Sequence, residues 1–349
     1  MREILLTGGT GLIGRELSCS LLEEEDVECL KLLVRNEQDP RLKKLLSSAR
    51  DLGKRVDLVE GDLLSSNLGS GKVLEALGDI GEVYHLAADT KLSGGMTGPS
   101  SVNILGTKNL LNLAGSLGVD VFNHLSSAYA CGIQDERVPE TKLRIPSSFR
   151  SPYEKTKLGG EGEVYDFCEG EGIDFNVFRP SIVLFENLDQ MGIEGQTIYR
   201  YLSVLQRALK EGHSSEHFRL RGDLSTELNV VFSTEVVRNI ILARKQKNKG
   251  RTYNLLGIDL PLSEIVNLVE SETDRQGYYL FSQDLREQDL TRAERLIYHG
   301  SEPFWNYLDP ANSPIWETKN GRSIGGSKIT NLRNVRRNLR EFVGRNYGA

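Results

Sequence analysis

A chain of 349 residues, 38% hydrophobic and 26% charged, can bury one large core or two smaller ones and lacks the bias of a disordered protein. Its 43 basic and 49 acidic residues leave a net charge of -6, which excludes an overall basic field of the kind that recruits nucleic acid or an anionic membrane. No apolar run approaches the roughly 18 residues of a membrane span, and a first strand expected from about residue 3 leaves no room for a leader. Cys19, Cys29, Cys131 and Cys168 show neither metal spacing nor a disulfide framework. The expectation is a cytoplasmic protein with reduced thiols.

The apolar run Ile4-Leu5-Leu6 leads into Thr7-Gly8-Gly9-Thr10-Gly11-Leu12-Ile13-Gly14, which opens a helical pattern, Leu17-Leu21-Leu22. Gly9, Gly11 and Gly14 fit G-x-G-x-x-G; Gly8, Gly11 and Gly14 fit the looser G-x-x-G-x-x-G. Between a strand and a helix, such glycines let backbone come close to a ligand, and the free N–H groups of the helix start suit a pyrophosphate. Gly8, Thr10, Gly11, Leu12, Ile13 and Gly14 are therefore candidate dinucleotide contacts. Short apolar runs bounded by Gly, Asp or Pro predict strands at 3–7, 28–34, 55–59, 82–87, 120–126 and 173–179, with helical patterns between them. Runs of this kind suit strands buried on both faces, so the expected fold is α/β, a Rossmann doubly wound parallel sheet. The acidic run Glu23-Glu24-Glu25-Asp26, unfavourable for a helix C-terminus, reads as solvated surface.

The second strand ends in Arg35, where an NAD site usually places a carboxylate for the ribose 2'-hydroxyl. A guanidinium pairs with a 2'-phosphate, so NADP(H) is favoured over NAD(H), with Glu37 near enough to keep NAD open. Asp62, followed by Leu63, stands where an adenine amine needs an acceptor, or is a turn aspartate. The fourth strand runs into His85-Leu86-Ala87-Ala88, and small Ala87 and Ala88 permit close approach of a cofactor; His85 reads as a packed structural group. Residues 94–99 read as a loop, and Asn103, Gly106, Thr107 and Asn109 begin a helix continuing through Leu110, Leu113 and Leu117.

After the fifth strand comes Leu125-Ser126-Ser127-Ala128-Tyr129, and Tyr153 follows Ser127 by 26 residues in Ser151-Pro152-Tyr153-Glu154-Lys155-Thr156-Lys157. The spacing predicts a helix start with Ser151 as N-cap, Pro152 at the first helical position and Glu154 completing a capping box. Tyr153 and Lys157 then share one face. A phenol of pKa about 10 exchanges protons poorly at neutral pH, and each unit of depression needs about 1.4 kcal/mol of preferential stabilisation of the phenolate. Lys157, with an oxidised nicotinamide, is the expected source of it. Ser127 would hold a substrate oxygen while Tyr153 passes it a proton.

Together the glycine stretch, Asp62, His85-Leu86-Ala87-Ala88, Ser127, Tyr153-x-x-x-Lys157 and Phe178-Arg179-Pro180-Ser181-Ile182-Val183 resemble the extended short-chain dehydrogenase/reductase family. The resemblance covers roughly residues 1–260. Leu33-Val34-Arg35, Ala88-Asp89-Thr90-Lys91 and Ser126-Ser127-Ala128-Tyr129 make it most similar to the thioester reductase and fatty acyl reductase branch. That branch uses NADPH to reduce acyl thioesters, which implies catalytic Ser127, Tyr153 and Lys157, cofactor contacts from Tyr153 and Lys157 as well, and Pro180 and Ile182 beside the nicotinamide. The family's dehydratases carry an Asp-Glu pair after the catalytic hydroxyl; Ala128-Tyr129 stands here, against sugar dehydration. Gly159, Gly160 and Gly162 weaken the Tyr153 helix by about 1 kcal/mol each. They imply either close backbone contact or the absence of the homodimer that this helix often forms.

The expected organisation is a dinucleotide-binding domain over 1–183, to which 229–256 returns, and a substrate lobe from 184–228 and 257–349. A helix near 196–211 should turn Ile198, Leu202, Leu205 and Leu209 to a core. Arg200, Arg207, Lys210, Arg219 and Arg221 are candidates for a phosphopantetheine or CoA phosphate, or solvated surface. Arg244 and Lys245 suit a helix C-terminus, and Phe304-Trp305 and Trp316 fall in no motif. The function expected is NADP(H)-dependent reduction of a small-molecule or acyl-carrier-bound carbonyl. Its rivals are an NAD-dependent nucleotide-sugar epimerase and an NADP-sensing binding protein without turnover.

Overall fold

The computed structural model describes residues 2–65, 68, 71–92, 101–190, 192–211, 217–247, 250–274, 277–325 and 329–347; the loop expected at 94–99 lies outside them. Strands β1 (Arg2–Thr7), β2 (Val27–Val34), β3 (Arg55–Glu60), β4 (Glu82–His85), β5 (Val121–Leu125) and β6 (Asp174–Pro180) fall on the six apolar runs. The later strands are β7 (Ile182–Leu184), β8 (Phe218–Arg221), β9 (Glu227–Phe232), β10 (Arg251–Leu255), β11 (Ile258–Pro261) and β12 (Tyr279–Ser282). The central sheet has the order β3-β2-β1-β4-β5-β6-β10, and every neighbouring pair is parallel. The fold is the doubly wound α/β sheet. Its order reverses between β1 and β4, which opens the crevice where such sheets bind ligands.

Alternation along the strands decides which helices cover which face. Ile4 and Leu6 of β1 join Leu17 and Leu21 of α1 (Leu12–Leu22), with α2 (Lys43–Asp51) and α7 (Ser233–Lys245), in one core. Leu5 faces the other way, into a core shared with α3 (Gly71–Leu77), α4 (Thr107–Leu117) and α5 (Pro152–Glu171). A π-helical turn, Ser101–Gly106, precedes α4. It lies so close to α5 that a Cβ on Gly160 would overlap the Asn103 carbonyl and one on Gly159 would come within 2.7 Å of Ile104. Two of the three α5 glycines therefore serve contact within the chain; Gly162 faces open space.

The third core belongs to α6 (Thr197–Glu211), α8 (Leu262–Glu272), α9 (Arg292–Ser301) and α11 (Leu332–Tyr347), against the three-stranded sheet β11-β9-β7. Ile198, Leu202, Leu205 and Leu209 are buried in it, as the stripe on α6 requires. The short α10 (Lys319–Ser323) packs beside β10. The acidic run after α1 is not merely solvated. Asp26 pairs with Arg244 at 2.8 Å and Glu24 with Lys245 at 2.9 Å, so two helix ends of opposite side-chain charge meet. All four cysteines are free thiols. No helix among the described residues is long and apolar enough to cross a membrane.

Candidate active site

At the switch point the ends of β1 and β4 nearly touch. Gly8 has φ +78°, a left-handed conformation that favours glycine, and a Cβ there would lie 2.6 Å from the Ala87 nitrogen. The Gly11 N–H donates to the Gly8 carbonyl at 2.9 Å, and a Cβ on Gly14 would overlap that same carbonyl. The loop thus turns tightly and delivers the chain into α1 with Gly11 as N-cap, no capping side chain and no acidic residue in the first turn. The amides of the helix start stay available to an anion, and its partial positive charge favours one.

Gly8, Gly11, Leu12, Ile13 and Gly14 line one side of a cavity of about 300 Å³, and Ser127, Tyr153, Lys157, Pro180 and Ile182 line it further along. Ser127 ends the segment after β5, where its Oγ accepts the Tyr129 N–H at 3.2 Å. Tyr153 and Lys157 project from the first turns of α5, which begins with Ser151 as N-cap and Pro152 next. The capping box expected there does not form. Ser151 Oγ is 2.8 Å from the Tyr307 hydroxyl instead. Glu154 turns back to accept the Arg150 N–H at 3.0 Å and lies 3.2 Å from the Arg150 guanidinium. A buried guanidinium outcompetes one backbone N–H for the carboxylate.

Burial pushes the Tyr153 phenol up to about 12, partly offset by its hydrogen bond with Ser127 and reinforced by Glu154. The Lys157 ammonium donates to the Leu125 carbonyl at 2.6 Å. Burial brings it down to about 8, against the pull of Glu161. The expected acidification of Tyr153 by Lys157 is thus not expressed in the protein alone, where desolvation dominates and Ser127 is the group that lowers the phenol. His85 is held between Thr7 Oγ1 at 2.7 Å and Thr107 Oγ1 at 2.9 Å, and burial with Lys157 nearby brings it down to about 3. It is a neutral structural group.

Of the other candidate cofactor residues, Thr10, Arg35, Asp62, Leu63 and Ala87 lie outside the cavity lining. Ala88 lines it, whereas Ala87 contributes the backbone that Gly8 abuts. Thr10 presents its carbonyl to Arg15 Nη1 at 2.8 Å. Arg35 is exposed at the end of β2. Asp62 Oδ1 accepts the Leu64 N–H at 3.0 Å, a turn that leaves the residue half-buried, and the Leu63 carbonyl accepts from Asn109 at 2.7 Å.

Sequence reasoning passed over Arg15, whose guanidinium, held by Thr10 and by Gln190 at 3.1 Å, is lowered in pKa by burial and by the charge of Arg41. It also passed over the tail: Phe304, Tyr307 and Leu308 line the cavity with Tyr201 and Leu228. Nothing local marks them, since the groups they meet, Tyr201 for Phe304, Ser151 for Tyr307 and Thr226 for Leu308, lie 82 or more residues away. The candidate phosphate-binding arginines do not line it. Arg219 is paired with Glu294 at 2.7 Å, Arg200 lies over the Phe304 ring, and Arg221 lies over Trp305 at 5.0 Å. Among the described residues Lys157 is the one charged side chain in the wall.

The family model described as male sterility protein matches residues 6–240. A putative UDP-glucose 4-epimerase from Methanocaldococcus jannaschii is 23% identical over 83% of this chain and 88% of its own length. A putative fatty acyl-CoA reductase from Drosophila melanogaster is 29% identical over 54% of this chain and 38% of its own length. Among solved structures, the terminal R domain from the myxalamid PKS-NRPS pathway aligns with TM-score 0.77 at 19% identity, over 99% of this chain and 92% of that one. A UDP-glucuronic acid 4-epimerase from Bacillus cereus, in complex with NAD, aligns with TM-score 0.70 at 20% identity, over 99% and 98%.

Proposed function

This chain belongs to the male sterility protein family, within the extended short-chain dehydrogenase/reductases, and from that premise we propose an NADP(H)-dependent reductase of a neutral carbonyl compound, an aldehyde, ketone or acyl thioester. One observation carries the reading. Ser127, Tyr153 and Lys157 share a single cavity with the glycine loop, and Lys157 is the one charge in its described wall. A diphosphate substrate calls for cations or many amide donors, and this lining is dominated by aromatic and aliphatic side chains.

The residues fit a dinucleotide. The glycine loop packs so tightly on itself and on Ala87 that a Cβ at Gly8 or Gly14 would collide with backbone, which brings the start of α1 to the cavity wall, and the Ser126 and Ser181 hydroxyls of that wall are buried without a partner among the described residues. When bound, the nicotinamide supplies a hydride for the substrate carbonyl carbon. The amides at the start of α1 receive the pyrophosphate. Arg35, with Arg15 beside Arg41, supplies the positive charge that favours a 2'-phosphate. Ser127 Oγ holds the substrate oxygen, and Tyr153, neutral at pH 7, gives that oxygen its proton. Lys157 holds the ribose and stabilises the tyrosinate left behind. The lobe from 184–228 and 257–349 closes the substrate side.

A nucleotide-sugar epimerase using the same three residues is the second reading, favoured by the epimerase relatives that align along most of this chain. Separate titrations with NADPH and NADH, then turnover on aldehydes, ketones, acyl-CoAs and UDP-sugars, decide between them. Tighter NADPH binding and consumption of NADPH with a neutral carbonyl support the reductase. Tightly held NAD in the purified protein, with interconversion of UDP-sugars, overturns it.

A further inference from the structure

One part of the cavity wall has no role in the chemistry above. There α6 presents Tyr201, one position from its buried apolar stripe, 3% exposed and edge-on to Phe304 with ring centroids 5.3 Å apart. Its hydroxyl is buried with no hydrogen-bond partner among the described residues. Other buried tyrosines of the same lobe are satisfied: Tyr199 by Asn338 at 2.8 Å, Tyr278 by the Ala208 carbonyl at 3.2 Å, Tyr279 by the Leu205 carbonyl at 2.6 Å. An orphan buried hydroxyl is a cost that phenylalanine would avoid while filling the same space. Burial also raises the Tyr201 pKa, which keeps the group a hydrogen-bond donor.

We propose that Tyr201 is a specificity-determining contact that donates a hydrogen bond to a part of the substrate other than the carbonyl facing Tyr153. The substrate class is then an uncharged, mainly apolar carbonyl compound with one acceptor oxygen, a hydroxyl, ether or amide, set away from the reacting carbon. The neighbouring wall supports this composition. Phe304, Leu308 and Leu228 offer apolar contact, and no described side chain there offers charge to a phosphate. The proposal rests on the reductase reading for which end of the substrate reacts, and on the cavity alone for the contact.

The test uses the full chain with NADP⁺ bound and compares Tyr201→Phe with wild type. Straight-chain alcohols of six to ten carbons, roughly the span of such a cavity, are titrated beside their α,ω-diols by calorimetry. The corresponding alkanals and ω-hydroxyalkanals are assayed with NADPH. Wild type should bind at least one diol about tenfold tighter than its mono-alcohol, with the same preference in KM for the aldehyde pair. In Tyr201→Phe that ratio should fall to about one. The unliganded variant should also melt no lower than wild type, because it loses an unsatisfied hydroxyl and no internal bond; a merely structural tyrosine would lower the melting point. A diol preference absent from wild type, or intact in the variant, overturns the contact. Diol preference lost in the variant, with no NADPH turnover on these aldehydes or on the ketones and acyl-CoAs above, would instead sustain the contact and sink the reductase reading.

Discussion

Replacing Tyr153 with Phe removes one hydroxyl and leaves the ring in place. The structure sets the magnitude. Burial holds the phenol at about 12, two units above its ordinary value of about 10, which favours the neutral form by roughly 2.7 kcal/mol. At pH 7 the donor form is therefore essentially complete, and reduction should proceed without a pH-dependent supply of protons from this group. A positioned proton donor contributes about 10²- to 10⁴-fold, or roughly 2.7–5.4 kcal/mol of barrier. Tyr153→Phe should accordingly lower kcat for carbonyl reduction by at least about two orders of magnitude, with NADPH affinity changed by less than about threefold. The reverse oxidation needs the phenolate, so its rate in wild type should climb about tenfold per pH unit through the neutral range. Reduction should have a different limb. The Lys157 ammonium is complete below about 8 and lost above it, so kcat/KM for reduction should be flat below that pH and fall beyond it. Steady-state rates from nicotinamide absorbance in both directions, over pH 6 to about 10, with cofactor affinity measured separately, supply the check. A Phe variant with full reductase activity would refute the assigned role.

Four further substitutions test the same geometry. Lys157→Met removes a buried charge whose folded value, about 8, lies below the ordinary 10.5; the unfolded chain binds the extra proton between those values, so wild-type stability rises with pH there. The variant should therefore exceed wild type by roughly 1–3 kcal/mol at pH 7 in urea unfolding, and by clearly less near pH 9.5; a pH-independent difference would sink the argument. Arg35→Ala should raise KM for NADPH about tenfold or more and leave KM for NADH nearly unchanged, the loss of one charge-assisted bond; equal effects on the two cofactors would remove Arg35 from the 2'-phosphate. Gly14→Ala drives a methyl into the Gly8 carbonyl and should cost about 1–3 kcal/mol and most of the dinucleotide affinity, whereas Gly162→Ala, facing open space, should stabilise by up to about 1 kcal/mol. Retained affinity in Gly14→Ala would contradict the cradle.

What could be read in advance was what neighbouring residues decide. Leu5 and Leu6 point to opposite cores, so a strand buried on both faces announces itself as an unbroken apolar run, and six such runs fixed the expected sheet. Gly8 and Gly14 are legible because backbone crowding at a strand-to-helix turn leaves glycine as the residue that fits. Failures occurred where the assembled fold, rather than spacing along the chain, decides which partner a side chain takes. Ser151 and Glu154 have the spacing of a capping box, and the alternatives that win, Tyr307 and a buried Arg150, owe their positions to the fold. Tyr201 illustrates the same limit. The stripe of Ile198, Leu202, Leu205 and Leu209 beside it marks an amphipathic helix, but only the assembled lobe shows that its hydroxyl lacks a partner among the described residues.

One part of the cavity wall, the C-terminal segment around Tyr307, is hydrogen-bonded to the chain beside the residues proposed for chemistry. Arg150, just before α5, donates to the Asn312 carbonyl at 3.0 Å through Nε, and its own carbonyl accepts from Asn306 at 2.9 Å. Ser151 bonds the Tyr307 hydroxyl, and the Trp316 indole donates at 3.0 Å to the carbonyl of Ala128, the residue after Ser127. Tyr129 packs edge-on between Tyr307 and Trp316, each 5.5 Å away. The segments that carry Ser127 and Tyr153, the proposed proton-transfer pair, are therefore both tied to the same C-terminal segment that lines the cavity. Displacing that segment moves Ser127 and Tyr153 with it, and misplacing reacting groups by about 1 Å costs on the order of a hundredfold in rate. Substitutions at Tyr307 or Trp316 should thus depress kcat as well as alter KM, unlike changes at Tyr201, which lies on α6 outside this network.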